Sequence, residues 1–295
     1  MQEVKSCPVC SGEEFRPYLN CEDFTVSHEL FTIVSCQGCG FMFTNPRPSE
    51  EEAGNYYKAE EYVSHTNTSK GIVNKLYKLV RNYTLGQKEK LLRDYGKPGN
   101  LLDYGAGTGM FLAYAKNHGW SVSGIEVDSE ARKIAKELNS IDLHSSYKDL
   151  EENNKNIKFD AISLWHVLEH VYKVNETLLW LHNHLNDDGT IFIAVPNYLS
   201  YDADCFKEYW AAYDLPRHIY HFCPDTIKHL MIMNGFRYID QKPMKFDSYY
   251  VSLLSNKYKH GSTSMISSFL TGFKSNLKAS RDGNYSSLIY IFKKA

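Results

Sequence analysis

No apolar run in this sequence approaches the roughly 20 residues a membrane-spanning helix needs. Met1 to Ser6 carry no stretch of the signal-peptide kind, so a cytoplasmic location without membrane insertion is the expectation. A disulfide framework is not expected either, because such frameworks belong to secreted chains. Of the seven cysteines, four form two CxxC pairs; Cys21, Cys205 and Cys223 stand apart and read as buried apolar residues. Internal repeats and low-complexity tracts are absent. So is any strong net charge: the balance is -2, which demands no nucleic-acid partner. The charge is uneven, however, with nine Lys/Arg in residues 242–295 against Asp247 and Asp282. That segment reads as a solvated basic surface, or as a rim for an anionic substrate.

What is present fits one large α/β domain with a small appendage: 295 residues, 43% hydrophobic and 23% charged. Three units are expected: residues 1–48 as a four-cysteine module, 49–98 as a helical linker and pocket cover, and 99–295 as the main domain. Ser49 followed by Glu50, Glu51 and Glu52 is a helix-start signal, a hydroxyl cap with acids in the first turn. From Asn100 strands and helices alternate. Strands are expected at Leu101–Tyr104, Ser121–Glu126, Ile141–His144, Phe159–Trp165, Thr190–Val195, Phe236–Gln241 and Ser287–Phe292. Helices are expected at Met110–Asn117, Ser129–Leu138, Glu169–Leu185 and Pro224–Asn234, with two more at Tyr249–Lys257 and Met265–Leu277. Asp187-Asp188-Gly189 reads as a turn. The alternation implies a seven-stranded, mostly parallel sheet covered on both faces.

Cys7-Pro-Val-Cys10 and Cys36-Gln-Gly-Cys39-Gly40 are two knuckles that each aim two thiolates at one point. Four soft ligands in a tetrahedron suit a structural Zn²⁺, with iron as the second choice. The 25 residues between the knuckles exceed the usual ribbon spacing, which a longer hairpin absorbs. Only Lys5 and Arg16 are cationic in residues 1–45, so a nucleic-acid-gripping ribbon is disfavoured.

The run Asp103-Tyr104-Gly105-Ala106-Gly107-Thr108-Gly109 joins a strand to a helix. Its DxGxGxG spacing differs from the GxGxxG of dinucleotide-binding folds. Glu126 ends the next strand, where a carboxylate accepts both hydroxyls of a ribose. The fourth strand, Phe159-Asp160-Ala161-Ile162-Ser163-Leu164-Trp165, runs on into His166-Val167-Leu168-Glu169-His170. These three ordered motifs resemble the class I S-adenosylmethionine-dependent methyltransferases over roughly residues 85–240. The layout is similar to a small-molecule subgroup with an N-terminal four-cysteine module. It carries the corresponding Cys39-Gly40-Phe41-Met42-Phe43-Thr44-Asn45-Pro46-Arg47-Pro48 segment, followed by Tyr56, Tyr57 and Tyr62. The resemblance implies a Rossmann-like sheet with a zinc-ribbon-like module, and S-adenosylmethionine as cofactor. It implies that Tyr104, Gly105, Ala106, Gly107 and Gly109 line the cofactor, with Asp103 at its amino-acid end and Glu126 on the ribose. Val127 would pack on adenine, Ser146 and Tyr147 would meet its edge, and His166 would sit beside the sulfonium. Tyr57 and Tyr62 would close the pocket.

An oxygen acceptor needs a base, and histidine suits that work. Asp214-Leu215-Pro216-Arg217-His218-Ile219-Tyr220-His221-Phe222 follows the fifth strand at the carboxyl edge of the sheet. His218 and His221 are the candidate bases, Asp214 an orienting partner and Arg217 a partner for an anionic group. Glu169 and His170 read as structural. The expected reaction is methyl transfer to an O or C atom of a small metabolite, of an anionic or sugar-linked class. The alternatives are an RNA methyltransferase, an NAD-dependent oxidoreductase or epimerase, and a non-catalytic binding protein.

Overall fold

The computed structural model describes residues 1–57, 72–153 and 157–295. Strands β1 (Phe15–Glu22), β2 (Leu30–Cys36) and β3 (Met42–Thr44) open the chain, and a 3₁₀ turn follows at Ala53–Tyr57. Ser49 and Glu52 form a reciprocal cap: the Glu52 N–H donates to Ser49 Oγ at 3.3 Å, and the Ser49 N–H to Glu52 Oε2 at 3.0 Å. Helix α1 spans Ile72–Tyr95.

The main domain then runs β4 (Asn100–Tyr104), α2 (Met110–Lys116), β5 (Ser121–Ile125), α3 (Ser129–Asn139), α4 (Tyr147–Asn153) and β6 (Phe159–Trp165). It continues with α5 (Val174–His184), β7 (Leu185–Pro196), α6 (Tyr201–Phe206), β8 (Tyr220–His221), α7 (Pro224–Met233) and β9 (Phe236–Pro243). Helices α8 (Asp247–His260) and α9 (Met265–Asp282) form a hairpin before β10 (Ser287–Lys294).

Two sheets result, one ordered β5-β4-β6-β7-β10-β9 and the other β1-β2-β3-β8. In the first, β5, β4, β6 and β7 are parallel and β10 joins β7 and β9 antiparallel, so the sheet is mixed. It has six strands among the described residues, not the seven expected. The run Ile141–His144 makes only a single parallel bridge, His144 to Ile125, on the edge of β5. Ser140 turns into the left-handed region just before it and α4 starts just after it, which leaves no length for a ladder. The expected turn at Asp187–Gly189 lies within β7. Phe159 pairs with Leu185 and Ala161 with Thr190, so Asn186–Gly189 bulges out of register. The expected helix at Glu169–Leu185 divides into a 3₁₀ turn, Leu168–His170, and α5.

The central strands are buried on both faces, and β7 reads Thr-Ile-Phe-Ile-Ala-Val without alternation, as a covered parallel strand must. Asp202 of α6 sits at the base of the hairpin with no exposed surface. It accepts from Trp210 Nε1 (2.8 Å), Ser275 Oγ (2.6 Å) and Ser286 Oγ (2.6 Å), so α6, α9 and the entry to β10 share one anchor.

The four-cysteine segment is not a separate bead. β3 pairs with β8, placing Phe43 opposite Tyr220 and Met42 opposite His221. Phe41 packs on Tyr220 and Phe222 with ring centroids 5.6 Å apart in each case. One guanidinium ties the two segments further. Arg217 donates to Asp23 Oδ1 at 3.1 Å from the turn after β1, and to Asp214 Oδ1 at 2.7 Å. Burial alone would raise the Asp23 pKa. The N–H of Ser27, Arg217 and the Thr25 donors outweigh it and hold the carboxyl at about 2.

A group held this low contributes stability that is present above the unfolded value of 3.8 and is lost as pH falls through about 2. Asp23→Asn should therefore cost about 3 kcal/mol at pH 7, the scale for breaking a buried pair. Urea denaturation from pH 7 to 2.5 should show the gap between wild type and variant closing only below pH 4. A gap that is absent at pH 7 would contradict the assignment.

Candidate active site

The glycine loop between β4 and α2 is the first wall of the site. Gly105, Gly107 and Gly109 have φ of 78°, 53° and 71°, the left-handed region that side-chain-bearing residues avoid. The Gly105 and Ala106 N–H groups both donate to the Ile125 carbonyl (2.8 and 2.9 Å), which locks the loop against the end of β5. At Gly105 a Cβ would lie 2.4 Å from Val167 Cγ2, so the loop after β6 packs directly onto the glycine turn. At Gly107 a Cβ would meet nothing within 4 Å: this glycine borders open space where a ligand can approach the backbone. Glu126 faces that space. It accepts from the Gly107 N–H (2.8 Å) and the Asp128 N–H (2.9 Å), and each carboxylate oxygen keeps a lone pair for further donors.

Asp103 is 2% exposed at the end of β4 and accepts from Ser163 Oγ at 2.6 Å. Burial pushes its carboxyl up to about 7, against the pull of the Ser163 hydroxyl and the nearby Lys88. Lys88 comes from α1, with its Nζ 4.3 Å from the Trp165 ring centroid. The sequence offered no motif for Lys88; only the packing of α1 against β6 brings it here.

The remaining predicted cofactor residues distribute around this core. Tyr104 is partly buried against the main core. Val127 is 80% exposed beyond the end of β5, beside the cleft, and covers nothing in the chain itself. Ser146 Oγ accepts from the Asp149 N–H and caps α4, while the Tyr147 ring lies 5.4 Å from Trp180. Tyr57 places its hydroxyl 2.9 Å from His170 Nδ1. Tyr62 lies outside the described residues.

His166 has a φ of 58°, unusual for a side-chain-bearing residue. Its Nε2 is 3.0 Å from Asp247 Oδ2 of α8, and its Nδ1 is 3.4 Å from Glu169 Oε1. Burial disfavours the imidazolium, but the two carboxylates prevail and raise it to about 10. Asp247 was not foreseen from sequence, because it sits 81 residues away in an unmarked hairpin.

The acceptor-side candidates meet in one buried wall, to which β6's loop, the segment before β8 and the cysteine module all contribute. His218 donates from Nδ1 to the Ala212 carbonyl (2.9 Å), and its Nε2 lies 3.9 Å from Asp214 Oδ2. Asp214 is held below the usual carboxylate range: burial opposes this, and the Arg217 guanidinium prevails. His221 sits 3.2 Å from Thr44 Oγ1 of β3, and burial drives its pKa well down, so it is neutral. His170, read from sequence as structural, stands 4.6 Å from the His218 ring. Burial and His218 lower it to about 4. A cleft lined by Tyr198, Trp210, His218, Tyr220 and His221 opens beside this wall.

The four thiols form the other cluster. Their Sγ atoms lie within 4.8 Å of one another, with Cys7–Cys39 at 3.6 Å and Cys10–Cys36 at 3.5 Å. Gly40, with φ of 74°, donates its N–H to the Cys36 carbonyl at 2.9 Å and closes the second knuckle. Tetrahedral ligation at a Zn–S distance of about 2.3 Å requires S···S separations of about 3.8 Å. The thiol geometry fits that donor set.

A family model described as a methyltransferase domain matches residues 80–241, more than half of the chain. The chain belongs to the methyltransferase-domain family. The enzyme class read from the three motifs, an S-adenosylmethionine-dependent methyltransferase, stands. No curated protein matches the sequence. Among solved structures, the methyltransferase is similar to magnesium protoporphyrin IX methyltransferase from Synechocystis PCC 6803 with bound SAH. That match is 13% identical, covers 84% of this chain and 100% of that one, and has a TM-score of 0.53. The same enzyme with SAM gives 14%, 85%, 100% and 0.50. A SAM-dependent methyltransferase from Archaeoglobus fulgidus gives 18%, 72%, 94% and 0.49. The two Synechocystis likenesses show the α/β Rossmann-like methyltransferase fold. No helix among the described residues of this methyltransferase is long and apolar enough to cross a membrane.

The two glycines separate packing from ligand binding. Gly105→Ala should destabilise the fold and abolish cofactor binding, because its methyl meets Val167 as well as the strained φ. Gly107→Ala should cost only the left-handed penalty of about 1–2 kcal/mol yet weaken the cofactor, since its methyl enters the open cleft. Thermal unfolding and cofactor titration on both variants check this; equal behaviour of the two would refute it.

Proposed function

We propose that this methyltransferase binds S-adenosylmethionine in the cleft bounded by Gly107, Glu126 and Asp103. We further propose that it methylates an O or C atom of a small metabolite of anionic or sugar-linked class. The observation that carries the cofactor assignment is Glu126: a carboxylate pinned by the Gly107 N–H, with spare lone pairs facing the one loop glycine that opens on empty space. Such a group accepts two vicinal hydroxyls. When bound, the cofactor supplies an electrophilic methyl on a sulfonium. The chain supplies position and electrostatics. Asp103, once ionised, pairs with an ammonium. His218, oriented by the Ala212 carbonyl with Asp214 alongside, stands on the acceptor side as base or orienting group. The acceptor class rests on the buried polar wall and on the basic residues 242–295, which offer a rim for anions.

We also propose that Cys7, Cys10, Cys36 and Cys39 hold a structural Zn²⁺, which fixes β3 against β8. The purified chain should carry one zinc. Cys36→Ser should lose it and unfold at lower temperature, because metal binding is folding energy here. A full-strength fold without metal would count against the site.

Calorimetry with S-adenosylhomocysteine, with NAD in parallel, tests the cofactor. A dissociation constant near 1 μM, about 8 kcal/mol, is expected for the former and no heat for the latter; the reverse would overturn the assignment. The affinity should also rise with pH. Asp103 has a pKa of about 7, so its ionised fraction grows about tenfold from pH 6 to 8, and an ammonium ligand prefers that form. Asp103→Asn should flatten the profile.

A further inference from the structure

Glu169, His170 and His218 converge in the acceptor wall, with one potential ligand atom from each within 4.8 Å of the other two. Glu169 is 1% exposed, and neither of its carboxylate oxygens has a hydrogen-bond partner. Its ionic neighbours are His166 Nδ1 at 3.4 Å and His218 Nε2 at 4.0 Å from Oε1. Buried carboxylates are ordinarily saturated with donors, because desolvation costs several kcal/mol per ion. Glu169 is turned instead toward two imidazoles.

Two of the three converging residues, His170 and His218, are pre-set as ligands. His170 Nδ1 lies 3.0 Å from the Arg217 carbonyl and 2.9 Å from the Tyr57 hydroxyl, whose oxygen accepts alongside the carbonyl, and His218 Nδ1 donates to the Ala212 carbonyl at 2.9 Å. A carbonyl only accepts, so each Nδ1 carries the ring proton and each Nε2 is left with a lone pair. Metal-ligating histidines are oriented in this way, the outer N–H on a carbonyl and the inner nitrogen on the ion. Three carboxylates, Asp23, Asp214 and Glu169, stand against two cations, the Arg217 guanidinium and the His166 imidazolium. Asp214 Oδ2 lies only 3.9 Å from His218 Nε2.

We propose that Glu169, His170 and His218 form a second metal site, separate from the four thiols. It would take a divalent cation of the kind that accepts imidazole and carboxylate together, such as Mn²⁺, Fe²⁺ or Co²⁺. Three protein ligands leave open positions for an acceptor oxygen. Val167, two residues before Glu169, packs on Gly105, so the segment that carries Glu169 adjoins the cofactor loop. The role of the ion rests on the methyl-transfer reading. With the ion bound, His218 would serve as a ligand and not as the base: an acceptor hydroxyl on the ion becomes more acidic and releases its proton to solvent. The oxygen then forms a bond to the methyl carbon as the C–S bond breaks. Both electrons stay on sulfur, leaving a neutral thioether and a methyl ether.

The test is a titration of the intact chain, its thiol site loaded with zinc, with Mn²⁺ followed by the loss of the free-ion electron paramagnetic resonance signal. Mn²⁺ shuns thiolates, so the two sites do not compete. One Mn²⁺ per chain is expected. Glu169→Gln and His170→Asn should each weaken it at least about 100-fold, while exposed His229→Asn binds as wild type. Zinc content and circular dichroism report whether each variant folds. Should both variants misfold, Co²⁺ in the wild type decides: weak ligand-field bands without sulfur charge transfer support the site. Absence of a second ion in the wild type, unchanged binding in folded variants, or sulfur charge transfer alone would overturn it. Binding of S-adenosylhomocysteine by the same samples reports separately on the cofactor reading.

Discussion

The Arg217 guanidinium is the contact on which the acceptor side of the molecule depends. Between β7 and β8 the chain runs through one short helix and 3₁₀ turns, with no ladder to fix it. Arg217 fixes it from the outside. It spans Asp214 in its own loop and Asp23, 194 positions earlier, and also donates to the Tyr56 carbonyl at 2.9 Å. A buried ion pair gains little net stability, since desolvation consumes most of the attraction. What this one supplies is a unique conformation, because an alternative loop path would leave a guanidinium or a carboxylate buried alone. His218 inherits its place from that constraint.

The two halves of the site are built on different principles. The cofactor side is local: a strand, a glycine turn and a helix in consecutive residues, closed by two N–H bonds to the Ile125 carbonyl. The acceptor side is assembled from distant segments, with Thr44 of β3 donating to the His218 carbonyl at 3.0 Å and the Ile219 N–H donating to the Glu169 carbonyl at 2.9 Å. A scaffold that keeps the first half and exchanges the second can serve many acceptors.

That division explains what the sequence revealed. DxGxGxG, Glu126 and both CxxC knuckles were legible because their geometry follows from adjacent residues and fixed φ values. The strands β4, β6 and β7 were legible from their apolar runs. The third strand was over-read: Ile141–His144 has strand-like composition, but Ser140 and α4 crowd it from both ends. Glu169 reads as structural from sequence, and a Glu in a post-strand turn has no signature of its own. Its contacts exist only once His166 and His218 are placed. Lys88 and Asp247 were missed for the same reason, since each reaches the site from an element whose sequence says only that it is helical.

The thiol cluster belongs to this picture as a remote support for the acceptor wall. β3 has three residues and cannot hold its register by backbone pairing alone. The second knuckle ends at Cys39, three residues before it, and Phe41 and Phe43 anchor it in the core. Fixing the knuckle fixes β3, and β3 fixes β8 and Thr44. Thr44 in turn touches both His218 and His221. A metal bound by the thiols would therefore act on the acceptor side without touching a substrate, through a continuous run of paired backbone. On this reading the module gives the two-residue strand that carries His221, near His218 in the chain, a sheet to join.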